Sequence, residues 1–141
     1  MLGIVYGRDA EIAEWVRVRA PHADSGFEKY VCIGIERDGE LICGVVYNDY
    51  RTHSIHASIA STDPRWACRR TLYTIFAYPF VQLKVGRITT YCGASMTSVR
   101  RFNERLGFTQ EGLLRRGFGD DDCVIFGMLR EECRWLERIK A

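Results

Sequence analysis

Over residues 30–36 apolar and polar positions alternate. Val31, Ile33 and Ile35 point one way, and Cys32, Gly34 and Glu36 the other. A period of two predicts a half-buried strand. Asp38-Gly39 follows, a dipeptide suited to a two-residue hairpin turn, and residues 41–47 read as the return strand. Residues 54–61 repeat the alternation, with Ile55, Ala57 and Ile59 on one face. Ahead of this meander, residues 2–6 are a short apolar strand. Ile12, Trp15 and Val16 then give the i, i+3, i+4 stripe of a helix that Asp9 would cap and Pro21 would end. Residues 21–29, with Asp24, Ser25 and Gly26, read as a loop.

The period changes at Thr62-Asp63-Pro64. Asp63 suits an N-cap and Pro64 a first helical turn. Leu72, Ile75, Phe76, Pro79, Phe80 and Leu83 follow at helical spacing, so one long helix is expected from Pro64, loosened at its end by Pro79. Residues 87–92 form the next strand. Residues 95–106 form a helix with Val99, Phe102 and Leu106 inward, stopped by Gly107. Residues 123–129 are a last strand and 131–140 a closing helix carrying Trp135, Leu136 and Ile139. A strand, a helix and a strand in one sheet make a right-handed parallel crossover. Strands 54–61 and 87–92 should therefore run parallel inside an otherwise antiparallel, mixed α/β sheet with helices on both faces.

The chain has 141 residues, 47% apolar and 27% charged, which fits one globular domain over 1–141. No apolar run is long enough for a membrane span. The first residues reach Arg8 and Asp9 too soon for a secretory leader, so a cytoplasmic monomer or homodimer is expected. A net charge of +2 is too mild to point to nucleic acid as a partner. Only Lys29, Lys84 and Lys140 among the 20 basic residues are lysines, leaving 17 arginines. That bias fits phosphate binding, or codon usage alone. The six cysteines form no C-x-x-C pair and read as reduced, buried thiols. His53 and His56 have no ligand-spaced partners, so no metal is expected.

Two segments carry a resemblance. One is Ser58-Ile59-Ala60-Ser61-Thr62-Asp63-Pro64-Arg65-Trp66, a strand running into a helix. The other is Val99-Arg100-Arg101-Phe102-Asn103-Glu104-Arg105-Leu106-Gly107-Phe108, followed by Glu111-Gly112. Together they resemble the GNAT superfamily of acyl-CoA-dependent N-acyltransferases, most closely the branch that acetylates protein N-terminal amines. The resemblance implies acetyl-CoA as co-substrate and a primary amine as acceptor: a protein N-terminus, a lysine or a small amine. It implies that the two parallel strands splay and that pantetheine pairs along Ile59, Ala60 and Ser61. The phosphates would meet the stretch Arg65, Trp66, Ala67, Cys68, Arg69 and Arg70, where a helix start offers free N–H groups. The stretch lacks the family's spaced glycines. Met96 and Asn103 stand where many members carry an Asn and a proton-donating Tyr, with Asn103 still facing the cofactor.

His56 is the candidate base, since its ordinary pKa suits proton removal near neutrality. Asp49 and Glu36 are weaker candidates, and Ser98 and Tyr91 are candidate donors. The acceptor site would use residues 21–29, 48–53 and 115–122, the last with Asp120, Asp121 and Asp122 for a cationic amine. An alternative reading is a non-catalytic module that keeps this fold and binds an acidic macromolecule or nucleic acid.

Overall fold

A computed structural model describes residues 1–20 and 26–136. Seven strands form one sheet in the order β1-β2-β3-β4-β5-β7-β6. They are β1 Leu2–Val5, β2 Tyr30–Arg37, β3 Glu40–Asn48, β4 Ser54–Ser61, β5 Arg87–Gly93, β6 Thr109–Leu114 and β7 Cys123–Leu129. The helices are α1 Asp9–Arg17, α2 Arg69–Ala77 and α3 Thr97–Leu106. All strand pairs are antiparallel except β4–β5. The expected mixed sheet is present.

The β2–β3 hairpin turns at Asp38 and Gly39, with φ of 53° and 84°. Both lie in the left-handed region that a tight hairpin turn needs. β2 is covered on both faces rather than half-buried. Ile33 and Ile35 join the main core, and Cys32 packs under α1 with Ile12, Val16 and Val46. Small residues allow this: a Cβ on Gly44 would come within 2.7 Å of Val16 Cγ2. Asp9 is the first residue of α1 rather than its cap, and its carboxylate accepts from the Cys32 amide at 3.2 Å.

The long helix expected from Pro64 is broken. Pro64–Trp66 forms one 3-10 turn capped by Asp63, which accepts from the Arg65 amide at 2.9 Å. Ala67 and Cys68 are then extended, and α2 starts at Arg69. The cause is Trp66, drawn into the core with 1% exposure and set edge-on to Phe102 at 6.1 Å. Thr71 fixes the break. Its hydroxyl donates to the Trp66 carbonyl at 2.6 Å and accepts from the Cys68 amide at 2.9 Å.

Beyond α2 the chain widens into a π turn, Tyr78–Gln82, closed by Leu83 N–H to the Tyr78 carbonyl at 3.0 Å. Pro79 has no N–H to offer the carbonyl four residues back, that of Ile75. The buried Tyr47 hydroxyl donates to that carbonyl instead, at 2.6 Å.

Strand β6 was not expected. As an exposed edge strand it has no buried alternation to announce it. The end of the chain carries 3-10 turns at Arg130–Glu132 and Arg134–Leu136 in place of the start of a closing helix, and its remainder lies outside the described residues. Replacing Tyr47 by Phe strands the Ile75 carbonyl in the core. The expected loss is about 1–3 kcal/mol of unfolding free energy, read by urea denaturation.

Candidate active site

β4 and β5 pair over three positions only: Ser54 with Arg87, Ile55 with Ile88 and His56 with Thr89. Past His56 each strand keeps its outer neighbour. β4 stays on β3 from Ala57 to Ser61, and β5 stays on β7 from Thr90 to Gly93. The sheet thus parts into two halves. A cleft of about 260 Å³ lies in the parting, with Ile59, Ala60 and Ser61 on one wall and Thr90, Tyr91 and Cys92 on the other. Met96, Ser98 and Asn103 close it from α3 and its N-cap, and Arg19 and Ala20 from the end of α1. Asn103 is 5% exposed.

Arg19 was not foreseen. Its guanidinium stacks on Trp15 at 4.0 Å and donates to the Trp15 carbonyl at 2.9 Å, an i, i+4 pairing that the sequence does contain.

At the closed end of the parting, Tyr91 Oη lies 3.4 Å from His56 Nε2, and the rings meet edge to face at 5.0 Å. Asp49 Oδ2 lies 3.6 Å from the same nitrogen. Burial lowers the His56 pKa below its ordinary value, Asp49 opposes that, and Arg51 and Arg87 add to it. The imidazole is therefore neutral at pH 7. Burial raises the Tyr91 pKa, so its hydroxyl keeps its proton. Tyr91 faces the cleft, whereas His56 and Asp49 face a second pocket with Phe27, Glu28, Lys29, Asn48 and Tyr50. The Tyr91–His56 contact thus joins a residue lining one pocket to a residue lining the other.

Other expected contributors stand elsewhere. Residues 21–25 of the expected acceptor loop lie outside the described residues. Glu36 faces Arg8 at 3.5 Å, on β2 rather than beside the parting. The Asp121 carboxylate accepts from the Ser95 hydroxyl at 2.7 Å and from the Asp122 amide at 2.9 Å. Asp122 accepts from the Arg116 amide at 2.7 Å. Ser95 and the neighbouring amides hold the Asp121 pKa down, and these carboxylates brace a turn instead of awaiting an amine. Ser98 is exposed in the first turn of α3, on the cleft wall.

Of the expected phosphate stretch, Trp66 is core. Arg65 is held by Asp63 at 2.8 Å, which brings the Asp63 pKa down to about 2. Arg70 donates to the Leu2 carbonyl at 2.7 Å. Ala67, Cys68 and Arg69 are exposed where α2 begins, so the helix N-terminus lies at Arg69 rather than Pro64, with the Arg70 and Thr71 amides turned to the Cys68 sulfur. Burial pushes the Cys68 thiol up, but the Thr71 hydroxyl and amide, the Arg70 amide and the Arg70 charge outweigh it and bring its pKa below the ordinary value. Burial raises the thiol of Cys92.

No family model and no curated protein matches the chain. Solved structures do. A spermidine N-acetyltransferase from Vibrio cholerae in complex with CoA and spermine superposes with a TM-score of 0.71 at 15% identity, over 96% of this chain and 98% of that one. This is the GNAT fold. A GNAT-family acetyltransferase from Bacillus anthracis superposes at 0.58 with 20% identity, over 72% of this chain and 67% of that one. A T. thermophilus protein assigned as an acetyltransferase gives 0.62 at 21%, over 73% of this chain, which spans 60% of that one. Within the GNAT fold the splayed parallel pair is β4–β5, and the helix that follows β4 is α2.

The cysteines give a direct check on the start of α2. Cys68 is exposed with a lowered thiol pKa, and the other five are buried. A disulfide reagent such as DTNB should modify one thiol of the native protein fast, and Cys68→Ser should abolish that phase.

Proposed function

We propose that this chain is an N-acetyltransferase that moves the acetyl group of acetyl-CoA directly to a primary amine. The observation that carries the reading is the parting of β4 from β5 beyond His56. It leaves a strand edge free along Ile59–Ser61, and the chain runs from there into the start of α2. An extended pantetheine arm fits such an edge as an added strand. The Asn103 amide on the wall can donate to and accept from its amides. The start of α2, with the Arg69 amide beside Cys68 and the exposed Arg69 side chain, suits its phosphates. The pairing of Arg65 with Asp63, and the hold of Leu2 on Arg70, leave fewer free cations for the alternative of a module binding an acidic macromolecule.

Acetyl-CoA supplies the thioester; the chain positions it and moves protons. An amine enters the second pocket as an ammonium beside Asp49. Neutral His56 takes one proton from it, and Asp49 stabilises the imidazolium that forms. The amine nitrogen bonds to the acyl carbon as the carbon–sulfur bond breaks, while a backbone N–H of Ile59 or Ala60 polarises the carbonyl. Tyr91 gives its proton to the sulfur and is recharged from His56, with Ser98 a second donor on the cleft wall. Two protons leave the ammonium. One ends on sulfur and one in solvent. Asn103 cannot replace a donor Tyr, because an amide holds its protons.

Calorimetric titration should give micromolar binding of acetyl-CoA, weaker for dephospho-CoA; no binding at millimolar ligand would sink the reading. His56→Gln should cut kcat by about 10²–10⁴-fold. Protonation inactivates the base, so wild-type kcat should fall as pH drops, with its acid limb displaced below the ordinary histidine value of 6.5. That limb should vanish in His56→Gln. CoA should also slow the labelling of Cys68.

A further inference from the structure

Helices α2 and α3 pack into one core on the same face of the sheet, and the seam between them carries unspent cations. On α3, Ser98, Arg101, Phe102 and Arg105 stand at i, i+3, i+4 and i+7, a single stripe of the helix. Phe102 meets Trp66 edge-on at 6.1 Å, and Trp66 lies just ahead of α2, so this stripe is turned to α2. The other flank of α3 faces β6, where Arg100 donates to Gln110 Oε1 at 3.2 Å. On α2, Arg69, Leu72, Tyr73 and Phe76 keep the same spacing. Phe76 lies 6.2 Å from Phe108, just past α3, which turns this stripe to α3. Arg70 leaves in the other direction, to Leu2 on β1.

The inward members of the two stripes seal the seam, and the arginines are left at its rim. Arg69, Arg101 and Arg105 are exposed. Among the described residues no carboxylate lies within ion-pair distance of any of them. Like charges at i, i+4, as in Arg101 and Arg105, weaken a helix. An anion seated between them removes that repulsion and meets forked N–H donors suited to phosphate.

Resting on the acyl-transfer reading, the anion can be named. Ser98 and Phe102 also line the cleft, so the α3 stripe continues from the wall beside the pantetheine arm. Beyond the diphosphate at the start of α2 comes the ribose with its 3′-phosphate, close to doubly charged at pH 7. Arg65 and Arg70 are spent on Asp63 and Leu2, and the seam supplies the cations that segment 65–70 lacks.

We propose that Arg101 and Arg105, with Arg69 across the seam, hold the 3′-phosphate of coenzyme A. Free acetyl-CoA is thereby selected over acetyl thioesters that end at the diphosphate or at pantetheine.

The test is calorimetric and needs no turnover. Wild type should bind acetyl-CoA at least about tenfold more tightly than acetyl-dephospho-CoA, the scale of a lost charge-assisted contact. Arg101→Gln with Arg105→Gln should bring the two affinities to within about twofold, by weakening acetyl-CoA alone. Arg69→Gln should reduce the preference by about threefold. Arg115→Gln with Arg116→Gln removes the same charge from the β6–β7 turn and should leave the preference whole. The inference is overturned if the 101 and 105 double variant keeps the preference, if it loses both ligands equally, or if wild type binds both alike. In each of these cases wild type still binds acetyl-CoA, and the acyl-transfer reading stands. Failure of acetyl-CoA to bind wild type would remove that reading and this inference together.

Discussion

Two neighbouring strands cannot both follow their outer partners in a twisting sheet and also stay paired with each other. β4 is tied to β3 through six residue pairs and β5 to β7 through seven, against three between β4 and β5. The interior ladder is the weakest in the middle of the sheet, so it is the one that opens. The functional geometry follows from that competition. A strand edge becomes available inside the molecule, sheltered by α3 and the end of α1. Edges elsewhere in the sheet face outward at β1 and β6.

The point where pairing ceases also sets which titratable groups meet. His56 is the last residue of β4 paired with β5, and Tyr91 lies two residues beyond its partner Thr89. His56 stands at the last pair, and the Tyr91 side chain, two residues past it on β5, still reaches back to within 3.4 Å. Titratable groups from two strands are thus gathered at the fork, one looking into each pocket. Burial at that fork keeps the histidine neutral and the tyrosine protonated, the states that proton transfer in either direction requires.

Much of this was legible in the chain. Alternation in residues 30–36 and 54–61, the Asp38-Gly39 turn and the helical stripe after Pro64 specify the order of elements, and the crossover rule makes β4 and β5 parallel. Residue chemistry marks His56 and Tyr91 as candidates, but not that they touch. What escaped has local causes. β6 buries too little to alternate. The helix start shifted from Pro64 to Arg69 because Trp66 buries its indole, a tertiary demand that no capping rule contains. Arg65, Arg70 and Asp121 look available as letters but are consumed by partners, Arg65 within its own turn and the other two far along the chain.

The bond from Tyr47 to the Ile75 carbonyl has a consequence for how this sequence can drift. Pro79 creates a vacancy in the helix ladder, and a residue 32 positions earlier fills it. A lineage that lost the tyrosine first would carry a buried, unanswered carbonyl. One that lost the proline first would give the carbonyl a second donor, which its two lone pairs can accept, and a turn no longer obliged to widen. The two positions are therefore epistatic, although they lie on different elements. Mutational paths through them are ordered, because only the loss of the tyrosine before the proline leaves the carbonyl unanswered. Relatives of this chain that lack the tyrosine should lack the proline as well.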